Sequence, residues 1–195
     1  TIKKQPYNRK LLKAILDKNI ELYDHETIVN TKGFRLIGFG RYAGIVGTYN
    51  GFRAWGLKYD SFNLPKAETL HDQKKLIDVL NTLELPNIKI LLTGSGKVAS
   101  GAQEMLDGMH LKSVSVDDYL HKTFSEPVYC KIDVLDYNKR KDGAVKDMFD
   151  FFDNPQEYVS DFMRFTKVTD YYIAGHFYGN GAPKFYTKEE VKSPD

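Results

Sequence analysis

A glycine-rich turn gives this sequence its clearest chemical signal. Residues 94–99 read Gly-Ser-Gly-Lys-Val-Ala, follow an apolar run at residues 88–92, and precede apolar residues at helical spacing. In such a turn the first glycine allows the tight bend, the second lets a diphosphate approach the backbone, and Ala99 lets helix and strand pack closely. The helix start then offers amide groups and a partial positive charge to phosphate. The pattern predicts a dinucleotide-binding turn formed by Gly94, Ser95, Gly96, Lys97 and Val98.

An acidic pair follows the next predicted strand, residues 112–117. Asp117 lies 23 residues after Gly94, close to the roughly 20 expected for an acid that binds the adenosine ribose. Its carboxylate would accept hydrogen bonds from ribose hydroxyls and repel a 2′-phosphate, so the prediction is NAD rather than NADP. Asp118 is the alternative for this role. S-adenosylmethionine enzymes also use glycine-rich turns but usually carry an acid just before the glycines. This chain has Leu92 and Thr93 there, which argues against that class of enzyme.

A further predicted strand, residues 170–175, ends beside the same site. Ligands of open α/β sheets lie over the carboxyl ends of the strands. We therefore predict that Ala174, Gly175, His176 and Phe177 border the cofactor near its nicotinamide. His176 is either catalytic or, as is more common for one histidine in an aromatic loop, structural. The other histidines and Cys130 have no metal-like spacing, so no metal is assigned.

The hydrophobic pattern predicts the elements that hold these residues. Helices are predicted from Asn8 and over residues 40–59, 71–83, 98–109, 143–152 and 156–165, and strands over 34–39, 88–92, 112–117, 128–135 and 170–175. The alternation predicts an α/β fold of Rossmann type, with a doubly wound, mostly parallel sheet covered on both faces. The glycines of residues 40–59 predict a helix that packs closely against a neighbour.

The composition excludes several classes of protein. The chain has 28 basic and 26 acidic side chains, a balance that predicts neither a nucleic-acid nor a membrane partner. One cysteine allows no disulfide within the chain, and there is no signal-peptide pattern or long apolar run. These features predict a cytoplasmic protein.

Several stretches of the chain resemble lysine-forming saccharopine dehydrogenases. They are residues 3–7, 22–26, 35–44 and 51–56, together with the turn at Gly94, Asp117 and the strand that begins at Asp170. Residues 136–167 match less well and look like an elaboration. The wider group includes alanine dehydrogenase, the NAD domain of transhydrogenase and carboxyalkyl-ornithine synthases.

This resemblance implies a division of the chain. Residues 1–39 would be the C-terminal part of a substrate domain, residues 40–60 a connecting helix, and residues 61–195 an NAD-binding Rossmann domain truncated at its C-terminus. Gln5 would contact an amino-acid or oxo-acid substrate, and Arg53 the nicotinamide cofactor. The family's catalytic lysine and histidine would lie upstream of Thr1, so the chain is expected to be a fragment that binds NAD without turnover.

The resemblance also implies a reaction, hydride transfer between NAD and the Cα of an amino or imino acid. An alanine dehydrogenase or a carboxyalkyl-ornithine synthase-like enzyme is the alternative within the group, and a non-catalytic NAD-binding module the alternative outside it. The glycine-containing helix predicted over residues 40–59 could form a contact between domains or a contact in a homodimer equally well.

Overall fold

The computed structural model describes residues 6–179 and 181–192. The chain divides into two compact units, Thr1–Phe39 and Gly40–Asp195. The described helices are α1 (Arg9–Asp17), α2 (Gly40–Tyr59), α3 (Gln73–Leu80), α4 (Lys97–Gly108), α5 (Val116–His121), α6 (Met148–Asp153), α7 (Met163–Thr166) and α8 (Lys188–Lys192). The described strands are β1 (Lys89–Thr93), β2 (Lys112–Ser113), β3 (Val128–Ile132), β4 (Asn138–Arg140), β5 (Tyr158–Ser160) and β6 (Tyr171–Ala174).

The first unit has no buried side chain among its described residues, 6–39. It contains helix α1 and a single bridge between Val29 and Arg35. The predicted strand over residues 34–39 is therefore wrong. Apart from the half-buried Ile15, the apolar side chains of this unit are exposed, for example Leu16 by 69% and Phe34 by 68%, so the hydrophobic effect gives the unit no core of its own.

The second unit is an α/β domain built on a parallel sheet. The strand order is β2-β3-β1-β6, and the three pairings are parallel. Side chains of β1 alternate between two cores, with Ile90 and Leu92 on one face and Leu91 on the other. The predicted Rossmann-like fold, a mostly parallel sheet covered on both faces, is confirmed.

Helices α2 and α4 pack with their backbones in contact. A Cβ at Gly44 would overlap the carbonyl oxygen of Val98, and one at Gly101 would overlap that of Arg41. Tyr49 and Phe52 of α2 are fully buried against the first core. The predicted close packing of residues 40–59 is confirmed, and because it buries a large apolar area it offsets the cost of glycines within a helix.

The region between α4 and β6 differs from the prediction in three ways. Strand β2 ends at Ser113, because the Ser115 hydroxyl accepts a hydrogen bond from the Asp118 amide at 3.1 Å and starts helix α5. The predicted helix over 156–165 is wrong as well. A short 3-10 helix, Pro155–Glu157, leads into strand β5, which pairs antiparallel with β4, and the α-helical part is α7 alone. Helix α6 is also shorter than the predicted 143–152.

Candidate functional site

A cavity of about 510 Å³ lies beyond the carboxyl ends of strands β1, β3 and β6. Its walls come from the glycine turn, from the segment after β3, and from the segment after β6. The lining includes Gly94, Ser95, Gly96, Lys97, Val98, Asp133, Val134, Tyr137, Asn138, Phe151, Phe152, Pro155, Gly175, His176, Phe177, Ala182 and Phe185. The position is the one at which open α/β sheets bind ligands, and the volume falls within the range of small-molecule sites.

Gly94 makes the turn between β1 and α4. Its φ is +101°, and its amide donates a 2.8 Å hydrogen bond to the Ile132 carbonyl at the end of β3. An added Cβ would lie 2.8 Å from the Gly175 carbonyl oxygen and from the His176 Cα. Position 94 therefore requires glycine for two reasons: the backbone has a positive φ, and it lies too close to the segment after β6 for a Cβ.

Gly96 is the N-cap of helix α4 and is exposed. Its carbonyl accepts from the Ser100 amide at 2.9 Å and from the Ser100 hydroxyl at 3.1 Å. A glycine has no side chain to accept the first helical amides, so these donors and the helix dipole are offered to a ligand. A Cβ built on Gly96 would meet no atom within 4 Å. The space over the helix start is therefore open, as an anion site requires.

Asp117 and Asp118 lie outside the cavity lining. Both are in the first turn of helix α5, where Asp117 pairs with His121 at 3.2 Å and Asp118 with Lys122 at 2.8 Å. The side chain of Asp117 is 85% exposed. Strand β2 occupies the edge of the sheet, so the strand between it and β1 is β3, and the acid at the end of β3 is Asp133.

Asp133 is the carboxylate of the cavity. One of its oxygens accepts from the Val134 amide at 2.7 Å, and its own amide donates to Asp136 at 2.7 Å. The second oxygen has no partner among the described residues, so it can accept a hydroxyl from a ligand. Asp133 was not predicted from the sequence, although an acid directly after the apolar residues of β3 was the available signal.

His176 lines the cavity beside strand β1. Its Nδ1 lies 2.8 Å from the buried Thr93 hydroxyl, which lies 3.2 Å from the Tyr172 hydroxyl. The ring packs against Phe185 with centroids 4.4 Å apart. Burial lowers the pKa of the His176 imidazole, which favours a neutral ring at neutral pH. A neutral ring can both donate and accept a hydrogen bond.

Of the other predicted site residues, some line the cavity and some lie elsewhere. Gly175 and Phe177 line the cavity with His176, whereas Ala174 borders an adjoining hollow of about 290 Å³. Arg53 lies on α2, donates from Nε to the Leu64 carbonyl at 3.0 Å, and does not line either space. Gln5 lies outside the described residues.

Most of the outer wall comes from residues 136–167, the region that matched the resemblance least well. Tyr137, Phe151 and Phe152 line the cavity, and Phe185 packs with Tyr137 at 4.7 Å between ring centroids. Asn138 also lies in this wall, and it is 2% exposed. These residues were not predicted from the sequence, because their contacts join segments far apart in the chain.

Two further findings concern the described part of the chain. Its histidine, cysteine, aspartate and glutamate side chains form no group of three that is placed to hold a metal ion. None of its helices combines the length and the apolar character needed to cross a bilayer.

Comparison with known proteins gives distant relatives. No protein-family model matches the chain. The mitochondrial alpha-aminoadipic semialdehyde synthases of Rattus norvegicus and Bos taurus are each 24% identical to it over 99% of its length, and the chain covers 23% of each relative. The alpha-aminoadipic semialdehyde synthase of Arabidopsis thaliana is 29% identical over 54% of the chain and 12% of the relative. The chain thus spans less than a quarter of these synthases, and it is similar to them at a distance.

Proposed function

We propose that the second unit binds NAD in the cavity at the carboxyl ends of its strands. The observation that carries the proposal is the meeting of three features in one cavity: the glycine turn, the open start of α4, and the carboxylate of Asp133. The turn and helix start suit a diphosphate, and the carboxylate suits a ribose diol.

The residues present fit each part of such a ligand. The open space over Gly96 has room for the diphosphate, and the amides at the start of α4 would hold its oxygens. Asp133 would accept from the adenosine ribose and repel a 2′-phosphate, which favours NAD over NADP. This assignment transfers to Asp133 the role that the sequence spacing had given to Asp117.

The nicotinamide half would lie on the β6 side of the glycine turn. Gly175, His176 and Phe177 line the cavity there. His176 is held by Thr93 and Phe185, so it would orient the ring or its amide rather than supply a positive charge. When bound, NAD supplies hydride transfer at the nicotinamide ring.

We further propose that the complete protein is an amino-acid dehydrogenase of saccharopine dehydrogenase type. The sequence resemblance supports this reaction class, and so does the similarity to synthases named for alpha-aminoadipic semialdehyde. The substrate would be an amino acid or oxo acid, with reaction at its Cα. Assays of the complete protein with 2-oxoglutarate plus lysine against pyruvate plus ammonia separate this class from alanine dehydrogenase, and turnover of neither pair favours a binding module.

The cytoplasmic location stays a prediction, and the names of the animal relatives place those proteins in mitochondria.

Calorimetric titration of this chain with NAD tests the binding proposal directly. Gly96→Val is expected to abolish binding, because the new side chain fills the space over the helix start, while the free energy of unfolding changes little. Gly47→Val is the matched control, since a Cβ at Gly47 also meets no atom within 4 Å but lies on α2. Absence of NAD binding by the unaltered chain, or full affinity in Gly96→Val, would refute the proposal.

A second pair of variants tests the reassigned acid. Asp133→Ala is expected to weaken the affinity for NAD by about tenfold to a hundredfold, the usual effect of losing a charged hydrogen bond. It should also reduce the preference for NAD over NADP, measured as the ratio of the two affinities. Asp117→Ala should leave both affinities unchanged. The reverse pattern would restore the sequence-based assignment to Asp117.

A further inference from the structure

The imidazole of His176 has one ring nitrogen that is held and one that is free. Nδ1 lies 2.8 Å from the Thr93 hydroxyl and 3.5 Å from the Tyr172 hydroxyl. Nε2 makes no hydrogen bond to a described residue. It is not buried either, because the buried side-chain polar atoms that lack a partner among these residues are Thr48 Oγ1 and Asn138 Oδ1. Nε2 is therefore accessible to a ligand.

The hydroxyl groups behind the ring indicate which nitrogen carries the hydrogen. Thr93 is fully buried, so its hydroxyl hydrogen needs an acceptor within the protein. The candidates are His176 Nδ1 at 2.8 Å, the Tyr172 hydroxyl at 3.2 Å and the Ile173 carbonyl at 3.4 Å. The last distance is beyond the usual range for an O–H···O bond.

One arrangement of hydrogens gives both hydroxyls a close acceptor. If Nδ1 accepts from Thr93, Tyr172 can donate to Thr93, and both hydroxyl hydrogens are used at 3.2 Å or less. If Nδ1 carried a hydrogen, one of the two hydroxyls would lack an acceptor closer than 3.4 Å among the described residues. The geometry therefore favours a neutral ring with its hydrogen on Nε2, which makes Nε2 a donor.

His176 lies where two spaces adjoin. It lines both the cavity of about 510 Å³ and the hollow of about 290 Å³, and Phe185 covers its ring with centroids 4.4 Å apart. Under the proposed function, the nicotinamide half of the dinucleotide lies on this side of the glycine turn. The nicotinamide carboxamide offers a donor exactly one acceptor, its carbonyl oxygen, beside an amino group that only donates.

We propose that His176 Nε2 donates a hydrogen bond to the carboxamide oxygen of the nicotinamide. This inference rests on the proposed binding of NAD. It makes His176 a specificity-determining residue that recognises the carbonyl, and not the amino group, of the carboxamide. A ligand with a weaker acceptor at this position leaves the donor unpaired and should bind less tightly.

The first test locates the ring hydrogen in the absence of any ligand. In a neutral imidazole the protonated and unprotonated nitrogens have different ¹⁵N chemical shifts. At a pH well above the ordinary imidazole pKa of about 6.5, His176 is expected to carry its hydrogen on Nε2, with the signals assigned from His176→Phe. His121 is the control in the same spectrum. Its Nδ1 lies 3.0 Å from the Asp117 carbonyl, which only accepts, so Nδ1 should carry more of the hydrogen there.

The second test compares three dinucleotides by calorimetry on the whole chain. They are NAD, its 3-acetylpyridine analogue, which keeps the carbonyl but has no amino group, and its thionicotinamide analogue, which keeps the amino group but replaces the carbonyl oxygen with sulfur. NAD and the acetylpyridine analogue should bind within about twofold of each other, and the thionicotinamide analogue about threefold to tenfold more weakly. In His176→Phe this difference should fall below about twofold. His121→Phe, a change outside both spaces, is the matched control and should keep it.

The outcomes separate this inference from the proposal beneath it. Hydrogen on Nδ1 of His176 would overturn the inference and leave the dinucleotide site intact. A reversed preference, with only the acetylpyridine analogue weakened, would overturn it as well, because Nε2 would then accept from the amino group. Equal binding of all three ligands by the unaltered chain would place the carboxamide away from His176. Binding of none would overturn both proposals. Because the ligands are compared on the unaltered chain, that result does not depend on how a variant folds.

Discussion

The two walls of the cavity are built by different means. The inner wall, residues 94–98, is a tight turn whose shape depends on backbone conformation and on the absence of side chains. The outer wall depends on aromatic rings from distant segments: Phe185 stacks on the buried ring of Phe162, and Tyr137 meets both rings edge to face. A local motif can specify the first wall, whereas only the completed core specifies the second. Substitutions should therefore affect the two walls in distinguishable ways.

The largest effect is expected from the outer wall. Phe162→Ala should lower the free energy of unfolding by about 3–5 kcal/mol, the usual cost of removing a buried phenylalanine. Its ring is 2% exposed and contacts Tyr137, Tyr172 and Phe185. Denaturant unfolding measures the loss. Phe149→Ala in the same region is the control, since Phe149 is 79% exposed and its loss should change stability by less than about 0.5 kcal/mol. Similar small losses in both variants would show that the aromatic wall does not depend on this packing.

Adding a single methyl group to the inner wall should lower the free energy of unfolding. Gly94→Ala should cost about 2–4 kcal/mol, because it adds a Cβ against Gly175 and His176 to the cost of a positive φ. Gly143→Ala separates the two contributions, since Gly143 has a φ of +76° and open space around it. That variant should lose only about 1 kcal/mol. Equal losses would mean that backbone conformation alone, and not the approach of the β6 segment, requires glycine at position 94.

This difference between the walls explains what could be predicted from the sequence. The strand, turn and helix around Gly94 were predictable because their signals lie within about twenty consecutive residues. Asp133 was not identified, because a two-residue edge strand and helix α5 separate α4 from β3 and invalidate the usual spacing to the ribose acid. Strand β5 was assigned to a helix because its pairing partner, β4, lies about twenty residues away in the chain. The contact between Thr93 and His176 joins residues that are 83 positions apart, and no sequence pattern indicates it.

A smaller effect is expected where the two walls meet at strand β1. Thr93→Val keeps the shape of the side chain but removes the hydroxyl beside His176 and Tyr172. The expected loss is about 1–2 kcal/mol, since partly buried polar groups lose a partner. Thr48→Val is the control, because the Thr48 hydroxyl is buried without a hydrogen-bond partner among the described residues. Its removal should leave stability unchanged or raise it, as measured by thermal unfolding. A loss in Thr48→Val as large as that in Thr93→Val would show that the loss at Thr93 does not come from its contacts with His176 and Tyr172.

The smallest effect concerns the protonation of His176, the residue that contacts both walls. Burial lowers its pKa in the folded protein, whereas the unfolded chain titrates near about 6.5. The unfolded chain therefore binds this proton more readily, so stability should fall as the pH drops below about 6.5 and level off below the folded-state pKa.

An NMR titration of the imidazole, assigned with His176→Gln, measures this pKa. Phe185→Leu sharpens the comparison, because Phe185 covers the ring at 4.4 Å and belongs to the outer wall. Its replacement should move the pKa back toward the ordinary value. A midpoint above about 6.5 in the unaltered protein would contradict the burial of His176. A midpoint that Phe185→Leu leaves unchanged would show that Phe185 does not cause the shift.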